Sequence, residues 1–250
     1  MIFRQLFERE SSTYTYLIAC EETREAALID TVKAEVPQYL QLLEELGLNL
    51  IYALDTHTHA DHITGAGELR DATGCKTLLG EEAHSPCVSA GLKDGDLIPV
   101  GKLLLKAIYT PGHTDDSYCY LLEHGIQSCV FTGDTLLIRG RGRTDFQNGS
   151  ASAQYHSLFD KLLTLPDNTW VYPAHDYKGR THSTIGAEKA GNARVAGKTL
   201  AEFVVTMEAL NLPRPKRLDE AVPANQSSGR RQDAGAPILA QPVASDAPRP

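Results

Sequence analysis

The stretch DTHTHADH, residues 55–62, most constrains what this chain can fold into. It puts three histidines and two aspartates into eight consecutive positions, directly behind the apolar run LNLIYAL. Burying several such groups costs free energy unless a shared cation or hydrogen bonds compensate them. Residues two apart on an extended segment project to the same side, so His57 and His59 can face one ion together. Asp61 and His62 follow at the turn into a helix and can converge on the same hollow. Imidazole and carboxylate without thiolate suit zinc or iron.

Three later residues occur in the same context. His113 stands in AIYTPGHTDD, Asp134 in CVFTGDT and His175 in TWVYPAHDY, each just past an apolar β segment. Four strands thus deliver a candidate ligand at their ends, which is what one metal pocket at a sheet edge requires. His84, His124, His156 and His182 have no partner at ligand spacing, and surface or hydrogen-bonding roles are expected for them.

Around these positions the pattern is mixed. STYTYLIAC, EAALIDT and LNLIYALDT read as strands, and EVPQYLQLLEELG as a helix closed by Gly47. ITGAGELRDATG reads as a short helix ending at Gly74 and CKTLLG as a strand; LIPV, KLLLKAIYT, SYCYLLE and SCVFTGD then form an all-β stretch. SASAQYHSLFDKLLTLP is a helix, TWVYPAH a final strand and TLAEFVVTMEALNLP a late amphipathic helix. Two packed sheets with helices outside, an α/β (α+β) chain, is the expected class. The chain from residue 223 on has no aromatic residue and is rich in Ala, Pro, Ser and Gln. The reading is a catalytic domain over 1–225 and a disordered tail over 226–250.

A net charge of −8 argues against a nucleic-acid partner, and no apolar run is long enough to cross a bilayer. The first twenty residues lack the layout of a secretory signal and carry acids unlike a transit peptide. Five scattered cysteines without a CxxC pair suit a reducing cytoplasm and no disulfide framework. A homo-oligomer is compatible with all of this.

HxHxDH at 57–62, with His113, Asp134 and His175, resembles the metallo-β-lactamase superfamily over roughly residues 1–225. That resemblance implies a four-layer αββα sandwich with the metal at one edge of the two sheets. THTHADHITGAG, TPGHT, FTGDTLLIRGRGRTDFQNGS, YPAHDYKG and LNLPRPKRLDEAVPAN together are similar to its persulfide dioxygenase branch, GRTDFQ being the most specific. The branch implies one Fe(II) per chain on His57, His113 and Asp134, the catalytic centre, with His59, Asp61, His62 and His175 as supporting or spare ligands. It implies glutathione persulfide and O₂ as reactants and sulfite and glutathione as products, in sulfide detoxification.

Glutathione carries carboxylates, for which Arg143 and Arg139 of IRGRGR are the expected partners, with Tyr177 as a pocket wall. Arg141 reads as a surface ion pair, and Asp61 as the group that orients the histidines. Asp115 and Asp116 stand where relatives often carry Pro-Gly, so the turn beyond His113 is expected to differ. Some bacterial relatives continue into a sulfurtransferase domain, whereas only the tail follows PAN here.

The main alternative is a glyoxalase II-like thioesterase with two zinc ions. There His57, His59 and His113 would hold one ion, Asp61, His62 and His175 the other, and Asp134 would bridge. A non-catalytic persulfide sensor is a further alternative, although no partner helix or DNA-reading module is visible.

Overall fold

The computed structural model describes residues 1–230 apart from 126, and the side chain of His124 lies outside the described part. The first sheet has the order β1 (Ile2–Glu8), β2 (Thr13–Ala19), β3 (Glu25–Ile29), β4 (Asn49–Leu54), β5 (Lys76–Gly80) and β6 (Ala90–Leu92). The second runs β12 (Ser183–Thr184), β11 (Trp170–Pro173), β10 (Gln127–Gly133), β9 (Tyr118–His124), β8 (Leu103–Tyr109) and β7 (Leu97–Val100). Pairing from β3 to β6 is parallel, as is β10 with β11; the remaining pairs are antiparallel.

Alternation explains why the sheets stack. In β2 every residue is buried, because its two faces meet two different cores. Tyr14, Tyr16 and Ile18 point between the sheets, with Ile29, Leu105, Tyr120, Phe131 and Tyr172. Leu17 and Ala19 point outward against Val36, Tyr39 and Leu43 of α1 (Val36–Glu45) and Leu69 of α2 (Ala66–Thr73). On the far face of the second sheet, Cys119, Val130 and Val171 meet Leu158 and Leu162, which follow α3 (Ala151–His156), Ile185 of α4 (Ile185–Gly191), and Phe203 and Met207 of α5 (Leu200–Glu208). Helices, sheet, sheet and helices make four layers.

Local signals account for the helix ends. Gly74 closes α2 at φ 76°, a left-handed backbone that glycine adopts without strain. Thr199 and Glu202 form a reciprocal capping box on α5. The helix read over 150–166 is α-helical only from Ala151 to His156 and continues as a π turn over Ser157–Lys161 and a tighter turn to Thr164.

α4 and α6 (Leu218–Asn225) are elements that hydropathy alone does not announce. The tail boundary also moves. Residues 227 and 228 are buried, Gly67 N donates to Ser228 O at 3.0 Å, and Lys33 Nζ donates to Gly229 O at 2.9 Å. Residues 226–230 are therefore part of the packed domain, and 231–250, the rest of the expected tail, lie outside the described residues.

Candidate metal centre

Strand direction brings the candidate residues together. β8 and β10 both run antiparallel to β9, and β11 runs parallel to β10, so all three end on one edge. Those ends lead to His113, Asp134 and His175. β3 and β4 are parallel in the other sheet and end at Asp30 and at the histidine stretch. β2 begins at this same edge: Thr13 bridges to His175, and Tyr14 N donates to Ala174 O at 2.7 Å, tying the two sheets beneath the centre.

His57, His113 and Asp134 each offer a ligand atom, all within 4.8 Å of one another; His59, Asp61, His62 and His175 form a second such group. The hydrogen bonds say which atoms remain for a cation. Thr56 Oγ1 donates to Asp30 Oδ2 at 3.1 Å and so accepts from His57 Nδ1 at 3.0 Å, leaving the His57 Nε2 lone pair free. His113 Nδ1 donates to the Arg143 carbonyl at 2.7 Å, which leaves its Nε2 lone pair, 3.5 Å from Asp134 Oδ2. Fixing the tautomer through the other ring nitrogen is the usual way proteins orient metal-binding imidazoles.

His59 Nε2 lies 3.1 Å from Asp30 Oδ1, and His62 Nδ1 lies 3.1 Å from Asp61 Oδ2. Their opposite nitrogens, His59 Nδ1 and His62 Nε2, are buried without a partner. Buried acceptors of that kind, beside two imidazoles and a carboxylate, fit a metal ion. Asp61 also reaches His175 Nε2 at 2.9 Å, as expected of a residue that orients histidines.

His175 is committed on both sides. Its Nδ1 meets Asp134 Oδ1 at 2.7 Å and its Nε2 meets Asp61 Oδ2, so in this arrangement it has no lone pair for a second ion. Burial favours the neutral ring, but the two carboxylates win and hold the His175 pKa well above the usual imidazole range. The same contacts act in reverse on Asp134 and Asp61: burial would raise both, yet His175 and the neighbouring histidines hold them well below the usual carboxylate range. His57 and His59 are pushed well down, chiefly by burial and then by adjacent imidazoles. Asp55 is pushed up to about 7 by burial and by Asp30, itself raised by burial.

A pH dependence follows for protein stripped of metal with a chelator. The depressed Asp61 and Asp134 contribute stability above their ordinary 3.8 and lose it as pH falls through that region. The raised His175 contributes fully below 6.5 and loses its contribution as pH rises, as does the raised Asp55 through about 7. Between these limits the neutral His57 and His59 oppose the raised Asp30 and Asp55, so the slope is small. Urea unfolding of the stripped protein should show a plateau between 3.8 and 6.5 with losses on both sides. Stability that climbs steadily above pH 7 would contradict this network.

Two further devices were not visible in the motifs. Asp30 ends β3, accepts from Thr56 N at 2.7 Å and braces both His57, through Thr56, and His59. Its position in EAALIDT repeats the strand-end context of Asp134 and could have revealed it. Asn225, at the end of α6, donates to the His59 and His62 carbonyls at 2.8 and 2.9 Å and accepts from Thr64 N at 2.9 Å. Nothing in its sequence surroundings points to a residue 166 positions away.

The expected substrate residues fare differently. Tyr177 stands at the centre, 71% exposed, its ring stacked on His175 at 6.2 Å. Arg143 instead grips both Asp145 oxygens at 2.6 and 2.7 Å, donates to the Pro213 carbonyl at 2.7 Å and lies over the Phe146 ring. Its guanidinium anchors the segment leading to α6, and what it gives the centre is its own carbonyl, on His113. Arg139 faces α4, where it meets Ala187 and Glu188. Arg141 is buried over the Phe203 ring at 4.2 Å, unlike the surface pair expected of it. His84 is exposed, His156 pairs with Asp160 and His182 lies beside Trp170, all apart from the metal groups.

At Gly142 the backbone passes close against a candidate ligand. A Cβ there would lie 2.4 Å from Asp134 O and 2.7 Å from His113 Nδ1. Gly142→Ala should therefore displace the His113 ring without touching the three apolar cores. The expected result is a lower melting temperature, because the Asp134 carbonyl must also give way, with kcat/KM lower by about 100-fold. Wild-type turnover in this variant would show that His113 placement does not matter.

The metallo-beta-lactamase superfamily model matches residues 9–175. This chain belongs to that superfamily. It is 46% identical to the mitochondrial persulfide dioxygenases ETHE1 of Bos taurus and Homo sapiens over 230 residues, 92% of this chain and 89% of each relative. The crystal structure of ETHE1 from Myxococcus xanthus superposes with a TM-score of 0.89 at 55% identity, covering 92% of this chain and all of that one. The hydroxyacylglutathione hydrolase of Polaromonas sp. is 40% identical over 167 residues, but the match spans only 66% of this chain and 62% of that protein. Within the superfamily fold the described site is a metal site. Among the described residues no helix is long and apolar enough to cross a membrane.

Proposed function

We propose that this chain is a persulfide dioxygenase that converts glutathione persulfide, O₂ and water to sulfite and glutathione, with one Fe(II) held by His57, His113 and Asp134. The observation that carries the reading is the 46% identity to persulfide dioxygenases along 92% of the chain, where the likeness to the hydroxyacylglutathione hydrolase of Polaromonas sp. spans 66% of it. All five cysteines are free, which suits the reducing compartment expected for the chain.

Bound there, ferrous iron supplies the redox chemistry that lets dioxygen react with the persulfide sulfur, two donor imidazoles and one carboxylate leaving room for both reactants. The protein's part is positional. Thr56 with Asp30 holds the His57 ring, the Arg143 carbonyl holds that of His113, and His175 holds Asp134 Oδ1 so that Oδ2 stays turned toward His113. Two oxygen atoms pass to the terminal sulfur, water completes sulfite, and the glutathione sulfur leaves as thiol. Tyr177 provides an exposed aromatic wall beside His175 for the arriving peptide.

An oxygen electrode with sulfite detection tests this on anaerobically iron-loaded protein. One O₂ consumed per sulfite formed, with near one iron per chain, is the expected result. Two zinc ions per chain and hydrolysis of a glutathione thioester would establish the thioesterase instead.

A further inference from the structure

A cavity of about 460 Å³ opens beside the loop beyond His113 and reaches Thr58, between His57 and His59. Glu82, Asp115 and Asp116 line it, together with Thr58 and Gln147; His84 is the one basic side chain on the lining, and no lysine or arginine joins it. Asp116 is 3% exposed and its Oδ2 accepts from both the N–H and the hydroxyl of Thr58. Its Oδ1 is buried without a partner, and so is Oε2 of Glu82, whose Oε1 accepts from Tyr118 at 3.3 Å. Asp115 Oδ2 accepts from Asn148 at 2.7 Å. A buried carboxylate oxygen with no donor is costly, and two in one cavity ask for a ligand that brings N–H groups and positive charge.

A bare metal ion is the poorer occupant. Among the described residues the groups whose ligand atoms converge within 4.8 Å involve the histidines and Asp30 with Asp55, and these three acids are not among them. The volume is that of a small-molecule site. We infer that this cavity binds a small aliphatic ammonium ion, its N–H groups donating to Asp116 Oδ1 and Glu82 Oε2. The ammonium belongs either to a free amine or to the γ-glutamyl end of the thiol substrate, and the latter source rests on the reaction proposed above. Because Asp116 grips Thr58, between His57 and His59, an occupant also stiffens the segment that carries those imidazoles.

Calorimetric titration of the full chain with 1,4-diaminobutane tests the site, with the neutral 1,4-butanediol as control. Saturable binding of the diamine and none of the diol is expected. Glu82→Gln and, separately, Asp115→Asn should weaken diamine binding about tenfold or more, as loss of one charged acceptor does. Glu208→Gln on α5 should leave it unchanged. Glutathione titrations then separate the sources. If glutathione binding weakens in Glu82→Gln and the diamine competes with it, the ammonium is the substrate's; if glutathione binds equally in both proteins, it is a free amine. No saturable heat with the diamine, or equal affinity in Glu82→Gln and Asp115→Asn, would overturn the inference whatever the enzyme's activity proves to be.

Discussion

Changing His113 to alanine is expected to give a folded chain that retains no stoichiometric metal and consumes no dioxygen with glutathione persulfide. The site loses one of the three ligand atoms of the first group, and water has to replace an imidazole whose orientation the Arg143 carbonyl had already set. A fall in turnover of about 1,000-fold or more corresponds to about 4 kcal/mol of lost transition-state stabilisation. With metal stripped from both proteins, stability should barely differ, because His113 lies outside all three apolar cores. Metal analysis with an oxygen electrode checks both halves, and a variant that keeps its iron and its oxygen uptake would refute the ligand assignment.

Asn225→Ala is expected to produce the opposite profile, a loss of stability that drags activity down with it. One side chain satisfies the carbonyls of His59 and His62 and the amide of Thr64, all in a buried loop. Removing it leaves three backbone groups without partners, for a cost of about 3 kcal/mol after relaxation. Urea unfolding of the metal-loaded protein measures this directly. A change below about 1 kcal/mol would mean that water replaces the amide without penalty.

Much of this architecture was legible in the sequence because burial and period coincide there. The four strand-end motifs place His57, His113, Asp134 and His175 on one edge, since an apolar strand is stiff and its end is a defined place. α1 showed through Val36, Tyr39 and Leu43 at helical spacing. α6 did not, because LDEAVPAN has eight residues, an internal proline and no side-chain cap at Arg217. Its strength is tertiary: Ala221 and Ala224 are buried and Asn225 is tied to the loop. Low aromatic content from residue 223 suggested a tail, but small residues such as Ser228 and Gly229 pack closely where a large side chain would not fit.

The arginines show a different limit. IRGRGR placed three cations near Asp134 in sequence, and proximity suggested a carboxylate partner in the substrate. The structure gives Arg143 an acid two residues away and a carbonyl seventy residues away. The first partner could have been read from RTD; the second depends on how the chain returns. Asp115 and Asp116 ran the other way: the turn where a difference was expected holds the brace on Thr58.

The grip of Asn225 on the histidine loop also orders events in time. A ribosome delivers residues 55–64 long before it delivers α6, so a nascent chain carries imidazoles without their clasp for most of its synthesis. Any ion captured early would be held loosely and exchange freely. Only after α6 docks are the His59 and His62 carbonyls held, so the geometry a cation meets is that of the folded domain and not of the emerging chain.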